Sequence, residues 1–207
     1  MRILRQSPTS HLVVACGSSG ARLSAELGSG GHAVSYVAAG LVSLESVRSD
    51  ATEIRDRLDS GELPPLRGFV GNAGMQYTNG LTETPDSLES TFAVNVLANH
   101  LFVRPLQDRF TAPARIVITA SDTRFGDFRH NLGMVPGPVW HSPDVLARTG
   151  AFTGRTPRPP GAPRTRRANW PPSVSCTSTR AARPAGIDAV AYNPGFVPGT
   201  DLARNAD

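Results

Sequence analysis

Short runs of apolar and β-branched residues alternate along this chain with stretches in which apolar residues return every three or four positions. The runs are Leu12-Val13-Val14-Ala15-Cys16, Ala33-Val34-Ser35-Tyr36-Val37, Gly68-Phe69-Val70, Arg115-Ile116-Val117-Ile118-Thr119 and Ile187-Asp188-Ala189-Val190-Ala191-Tyr192, which predict five strands. Between the second and third, Leu44, Val47, Ala51, Ile54 and Leu58 mark one helix face behind an N-cap at Ser43. Arg48, Asp50, Arg55 and Asp56 mark the opposite, polar face. Between the third and fourth, Asp86 and Glu89 have the spacing of a capping box that starts a helix running through Leu88, Phe92, Val96 and Leu101, and Pro105 marks that helix's end or a kink. Strands alternating with helices in this order predict an α/β fold around a doubly wound parallel sheet.

That rhythm stops from about Phe152 to Pro184. The stretch holds seven of the 18 prolines and seven arginines, carries no acid, and shows hardly any apolar periodicity. A helix does not run through PRPPGAP, and a structureless insertion this long is foreign to a compact domain. It also accounts for the charge. The net charge is +4, yet Val145 to Ile187 carries eight arginines and no acid, while the remainder has 13 arginines against 17 acids. The basic surplus is therefore local. Nucleic-acid association through Arg155 to Arg183 is a weak alternative, because Trp170 alone interleaves an aromatic ring among those arginines.

The 207 residues, 39% of them apolar, suffice for one domain with its own core. No apolar run approaches the roughly 20 residues that span a bilayer, so no membrane association and no cleaved leader are expected. Cys16 and Cys176 are far apart and lack metal-ligand spacing, which fits a reducing cytoplasm and no metal site.

Four features carry chemistry. Gly71-Asn72-Ala73-Gly74 follows directly on a predicted strand, where small residues let a ligand approach the backbone. Asn95 interrupts an apolar helix and needs hydrogen-bond partners if it is buried. Ser121 places a hydroxyl at the carboxyl end of a buried strand, and Tyr192-Asn193-Pro194-Gly195-Phe196-Val197-Pro198-Gly199-Thr200 is a strand running into a Pro/Gly-shaped turn with a hydroxyl. Each taken singly is an ordinary turn, a solvent-facing amide or a strand terminus.

Together and in this order, these features resemble the short-chain dehydrogenases/reductases, particularly the branch with protochlorophyllide reductase-like and retinol dehydrogenase-like members. The resemblance covers about His11 to Gly150 and Ala185 to Asp207. It implies an incomplete Rossmann-like domain, NADP or NAD as cofactor, and hydride transfer to or from a carbonyl, an alcohol or an activated double bond of a small molecule. By the same resemblance Ser121 holds the reacting carbonyl and Asn95 supports a proton-relay water. Asn72, Ala73 and Gly74 border the adenosine ribose; Pro194, Gly195, Val197 and Thr200 border the nicotinamide.

The sequence departs from the family in three ways. The family's opening strand and Gly-rich phosphate turn are not found, and Gly17-Ser18-Ser19-Gly20 aligns after the family's second strand instead. Gly17 stands where NADP-using members often carry arginine, and Gly40 where the family has an acid near the adenine. The chain contains no lysine, so it has no Tyr-x-x-x-Lys pair, and none of Tyr36, Tyr77 and Tyr192 lies between Ser121 and Ile187. Third, Asp207 falls where this branch usually continues, so a substrate-side wall is expected to be missing.

The genetic code offers an account of the missing pair. Pro163-Arg164-Thr165-Arg166-Arg167-Ala168-Asn169-Trp170-Pro171 can be encoded so that the overlapping frame reads Ala-Tyr-Ala-Thr-Ser-Lys-Leu-Ala, a string typical of the family's active-site helix. Leu and Ala at its end are forced by any codons for Asn-Trp-Pro. A frameshift between about Gly150 and Pro184 is the expectation, with a genuine basic Pro-rich insertion as its competitor; the chain is then expected to be an oxidoreductase by resemblance that is inactive as written, or alternatively a catalytically dead α/β module that still binds a nucleotide or a partner.

Overall fold

A computed structural model of the chain describes residues 7–17, 19–77, 82–121, 141–149, 185–195 and 203–204. The irregular segment, Cys176, Val197 and Thr200 lie outside them. Strand β1 (His11–Cys16), helix α1 (Gly20–Gly28) and strand β2 (Ala33–Ala38) form a parallel βαβ unit, with His11 beside Ala33 and Cys16 beside Ala38.

Helix α2 (Leu44–Asp59) starts as its sequence predicts: the Ser43 hydroxyl accepts the Ser46 N–H at 3.3 Å. Asp50 departs from the expected polar face. It is only 8% exposed, and its carboxylate accepts the Gly40 N–H at 3.3 Å and the Ser46 hydroxyl at 3.4 Å. The backbone N–H just past β2 needs an acceptor, and Asp50 supplies one from the helix.

Strand β3 (Leu66–Gly71) follows, then the two-residue strand β4 (Gln76–Tyr77). The next helix opens at Ser90: α3 (Ser90–Phe92), a π turn (Ala93–Leu97) and α4 (Ala98–Leu106) run on from one another. Glu89 caps it, its carboxylate accepting the Thr91 and Phe92 N–H groups at 3.0 and 2.7 Å. Asp86, expected to begin the capping box, instead accepts the Leu44 N–H at 2.8 Å and so holds the first turn of α2. Pro105 lies one residue before the end of α4.

Strand β5 (Phe110–Thr119), the short helix α5 (Pro143–Leu146), strand β6 (Ile187–Tyr192) and strand β7 (Ala203–Arg204) complete the described elements. All five predicted strands form and pair in parallel, but in two sheets, β1-β2 and β3-β5-β6, while β4 pairs with β7. One core serves both larger sheets: Val37 of β2, Val47 and Ile54 of α2, Phe102 of α4, and Ile116 and Ile118 of β5 belong to the same buried cluster. The architecture is α/β and Rossmann-like with an incomplete sheet. The other face of the three-stranded sheet is partly exposed. Val70, Val117 and Val190 lie side by side across it, with Val70 58% and Val190 39% exposed, whereas parallel sheets ordinarily have both faces covered.

Among the described residues no helix is long and apolar enough to cross a membrane, and no group of His, Cys, Asp or Glu side chains is placed to hold a metal ion.

Candidate functional site at the carboxyl edge of the sheet

Parallel register puts three chain segments at one edge. Gly71 lies beside Ile118, and Thr119 beside Tyr192, so Asn72-Ala73-Gly74, Ser121 and Asn193-Pro194-Gly195 all leave the carboxyl ends of β3, β5 and β6. This is the edge where open α/β sheets bind ligands. Two bonds lock it: the Thr119 hydroxyl donates to Asn72 Oδ1 at 3.0 Å, and the Ala120 N–H donates to the Tyr192 carbonyl at 2.8 Å.

Asn72, Ala73, Gly74, Pro194 and Gly195 are exposed, and Ser121 is half-buried. Gly195 has φ +74°, the left-handed region that glycine enters without strain, and its N–H donates to Asn193 Oδ1 at 3.1 Å. Among the described residues, apart from each glycine's own chain neighbours, no atom lies within 4 Å of where a side chain on Gly195 or on Gly17 would begin. The turn after β6 therefore presents bare backbone at Gly195, whereas the Gly17 carbonyl already accepts the Tyr36 hydroxyl at 3.0 Å and the Gly20 N–H at 2.9 Å.

Asn95 is not at the solvent face. Its amide grips the backbone that follows Gly74, with the Met75 N–H donating to Oδ1 at 2.9 Å and Nδ2 donating to the Met75 carbonyl at 3.0 Å. Asn95 sits in the π turn, where the Ala98 N–H reaches back to the Ala93 carbonyl, and such widened turns recur at functional sites. The structure thus joins Asn95 to the Asn72–Gly74 loop and joins that loop to the end of β5. Val197 and Thr200 are outside the described residues.

Sequence reasoning missed the parts played by Thr119 and Asn99, and read Gly71 only as room for a ligand. Thr119 anchors Asn72, Gly71 gives α4 room to approach β3, and Asn99 donates from Nδ2 to the Asn95 carbonyl at 2.9 Å. The available signal for Asn99 was a second amide four residues after Asn95 in an apolar helix, which puts both on one face. Beside Gly40 stand Ser46 and Asp50, and the Asp50 carboxylate is already engaged by the Gly40 N–H.

An α/β domain with an exposed, glycine-lined loop cluster at the carboxyl edge of parallel strands is the class of protein that fold and site define. No protein-family model matches the chain. Among curated proteins, it is 36% identical over 70 residues to the short-chain dehydrogenase iccH of Talaromyces variabilis, covering 34% of this chain and 19% of that protein. It is 35% identical over 83 residues to the putative daunorubicin C-13 ketoreductase DnrU of Streptomyces sp. (strain C5), covering 38% of this chain and 28% of that one. The matched part thus spans less than a third of each relative's length. Solved structures that resemble it include a short-chain dehydrogenase from Burkholderia cenocepacia in complex with NADP, at 24% identity and TM-score 0.45, covering 56% of this chain and 48% of that one. Another is a Serratia marcescens short-chain dehydrogenase/reductase mutant, at 16% identity and TM-score 0.48, covering 59% of this chain and 49% of that one. The curated matches support kinship with the short-chain dehydrogenases/reductases.

Proposed function

We propose that this chain is a nucleotide-binding α/β module of short-chain dehydrogenase/reductase descent, with NADP or NAD as ligand, that does not turn over a substrate in its present form. The observation that carries the reading is the carboxyl edge of β3, β5 and β6, where exposed Asn72, Ala73, Gly74, Pro194 and Gly195 lie beside bare backbone. Those residues, with Val197 and Thr200 from the resemblance, would hold the dinucleotide. Small side chains there suit close approach of a ligand to the main chain. A bound nicotinamide would supply the hydride for a carbonyl, alcohol or activated double bond of a small-molecule substrate.

The chain's own residues would do less than such a reaction needs. Ser121 would hold the carbonyl oxygen and Asn95 would support a relay water, although its side-chain amide is committed to Met75 and its carbonyl already accepts from Asn99. Proton transfer needs a phenol whose pKa is lowered by a neighbouring cation. No lysine exists in the chain, the Tyr36 hydroxyl is bonded to the Cys16 and Gly17 carbonyls, and Tyr192 stands exposed on β6. The frameshift reading of residues 150–184 accounts for the loss of the Tyr-x-x-x-Lys pair. Membership of the protochlorophyllide reductase-like and retinol dehydrogenase-like branch, and a cytoplasmic location, belong to this proposal.

Titration of the chain against NADPH, followed by cofactor fluorescence, tests the reading. Saturable binding that is lost in Gly74→Val supports it. Absence of saturation, or binding indifferent to Gly74→Val, overturns it.

A further inference from the structure

The contact between α4 and the last residue of β3 is closer than a sheet and helix normally permit. Asn99 is 8% exposed, and a Cβ built on Gly71 would stand 2.3 Å from its Oδ1 and 2.8 Å from Ile118 Cδ1. Only glycine at position 71 leaves Asn99 this space. From there Asn99 Nδ2 donates to the Asn95 carbonyl at 2.9 Å, across the end of the π turn. Asn95 in turn holds both polar groups of the Met75 backbone. A continuous path of contacts therefore runs from Gly71, through Asn99 and Asn95, to the far end of the Asn72–Gly74 loop.

We propose that Asn99 is a positioning residue for this loop: by satisfying the Asn95 carbonyl from a pocket that Gly71 keeps open, it fixes the helix turn from which Asn95 grips Met75. The widened turn gives such a partner a place. A widened turn shifts backbone donors out of step with their usual acceptors, and a carbonyl without a donor in a half-buried place is costly. An amide four residues further along the same face supplies the donor. The loop it steadies is the one assigned above to the adenosine ribose, so the consequence for ligand affinity rests on the nucleotide reading, while the consequence for Met75 does not.

The test is amide hydrogen exchange with NADPH titration on the full chain, in Asn99→Leu and Asn99→Ser. Leucine removes the donor at similar volume. Serine retains one, since a helical hydroxyl bonds the carbonyl four residues back. Exchange of the Met75 amide is expected to rise about tenfold in Asn99→Leu, with Val47 and Ala51 in α2 unchanged, and to stay within about twofold of the parent in Asn99→Ser. The NADPH dissociation constant should follow the same order. Unchanged Met75 exchange in Asn99→Leu, equal effects of leucine and serine, or faster exchange throughout α2 would overturn the positioning role. Should Asn99→Leu not fold, Gly71→Ala displaces Asn99 from the strand side and is expected to raise Met75 exchange selectively; no rise there is equally contrary. A chain that shows the Met75 pattern yet binds no NADPH keeps the positioning role and discards the nucleotide reading.

Discussion

Asn95 and Met75 are joined at both ends of one amide: Oδ1 accepts the Met75 N–H at 2.9 Å and Nδ2 donates to the Met75 carbonyl at 3.0 Å. Met75 is itself buried, at 5% exposure, so neither backbone group has ready recourse to water. Asn95→Leu should cost about 1–3 kcal/mol, the penalty for stranding buried polar groups. Asn95→Asp should cost at least as much, because a carboxylate oxygen would then face the Met75 carbonyl. Urea denaturation of the two variants beside the parent checks the order.

Glu89 is a buried carboxylate with a defined task. At 3% exposure it accepts the Thr91 and Phe92 N–H groups and so ends the chain of unpaired donors at the start of α3. Glu89→Ala is expected to destabilise the fold by about 1–2 kcal/mol, in the range of a lost N-cap. Glu89→Gln, which keeps one acceptor oxygen, should fall between the two. Thermal melts of the three proteins give the comparison.

Leu146 ties a distant piece of chain to that same helix. It is 1% exposed and clusters with Phe92 and Val96, while the Glu89 N–H donates to the Ala147 carbonyl at 2.8 Å. Leu146→Ala should cost about 2–5 kcal/mol through lost contacts and a residual cavity. Limited proteolysis should then cut the 141–149 segment sooner than the α2 region. Equal rates would show that Leu146 does not hold the segment.

Four charges link α2 to the chain after α4. Asp108 accepts two hydrogen bonds from Arg55, at 2.8 and 3.0 Å, and Asp59 accepts two from Arg109, at 2.6 and 3.1 Å. Those bonds hold both carboxyls below the usual carboxylate range and raise the two guanidinium groups above theirs. A carboxyl that titrates lower when folded stabilises the fold at pH values above its unfolded pKa of about 3.9, and that contribution disappears as pH falls through the lower folded value. Asp59→Asn with Asp108→Asn should therefore flatten the loss of stability between about pH 5 and about pH 2. The difference at neutral pH should be small and should shrink with salt, because the four side chains are partly exposed. Denaturation midpoints across that range provide the test.

The elements that position the site were legible in the sequence because they obey local rules. Ser43 reads as an N-cap and is one; the run Arg115 to Thr119 reads as a buried strand and lies at the centre of the three-stranded sheet. Asp86 and Asp50 were misleading for one reason. Their partners, Leu44 and Gly40, are brought to them by packing and turns that periodicity does not encode. Asn95 was found by its oddity in an apolar helix, but its partner Met75 lies 20 positions earlier. Gly71 and Asn99 explain each other only once β3 and α4 touch. A glycine before Asn72 looks like part of a turn until the helix side chain above it is seen.

The open valine row of β3, β5 and β6 bears on stability. Val70→Thr should cost little, under about 0.5 kcal/mol, and Val190→Thr somewhat more, because Val70 is 58% and Val190 39% exposed. The same change at buried Ile116, on the covered face of β5, should cost several times more. Chemical denaturation of the three variants separates the two faces.

The central claim is nucleotide binding without turnover, and a single mixing experiment reaches it most directly. The chain is combined with NADPH and a panel of small carbonyl compounds, and cofactor fluorescence and 340 nm absorbance, the nicotinamide's own band at about that wavelength, are followed together. The account predicts saturable binding with no substrate-dependent loss of the reduced nicotinamide. Oxidation that depends on both chain and carbonyl compound, or no binding at all, would contradict it.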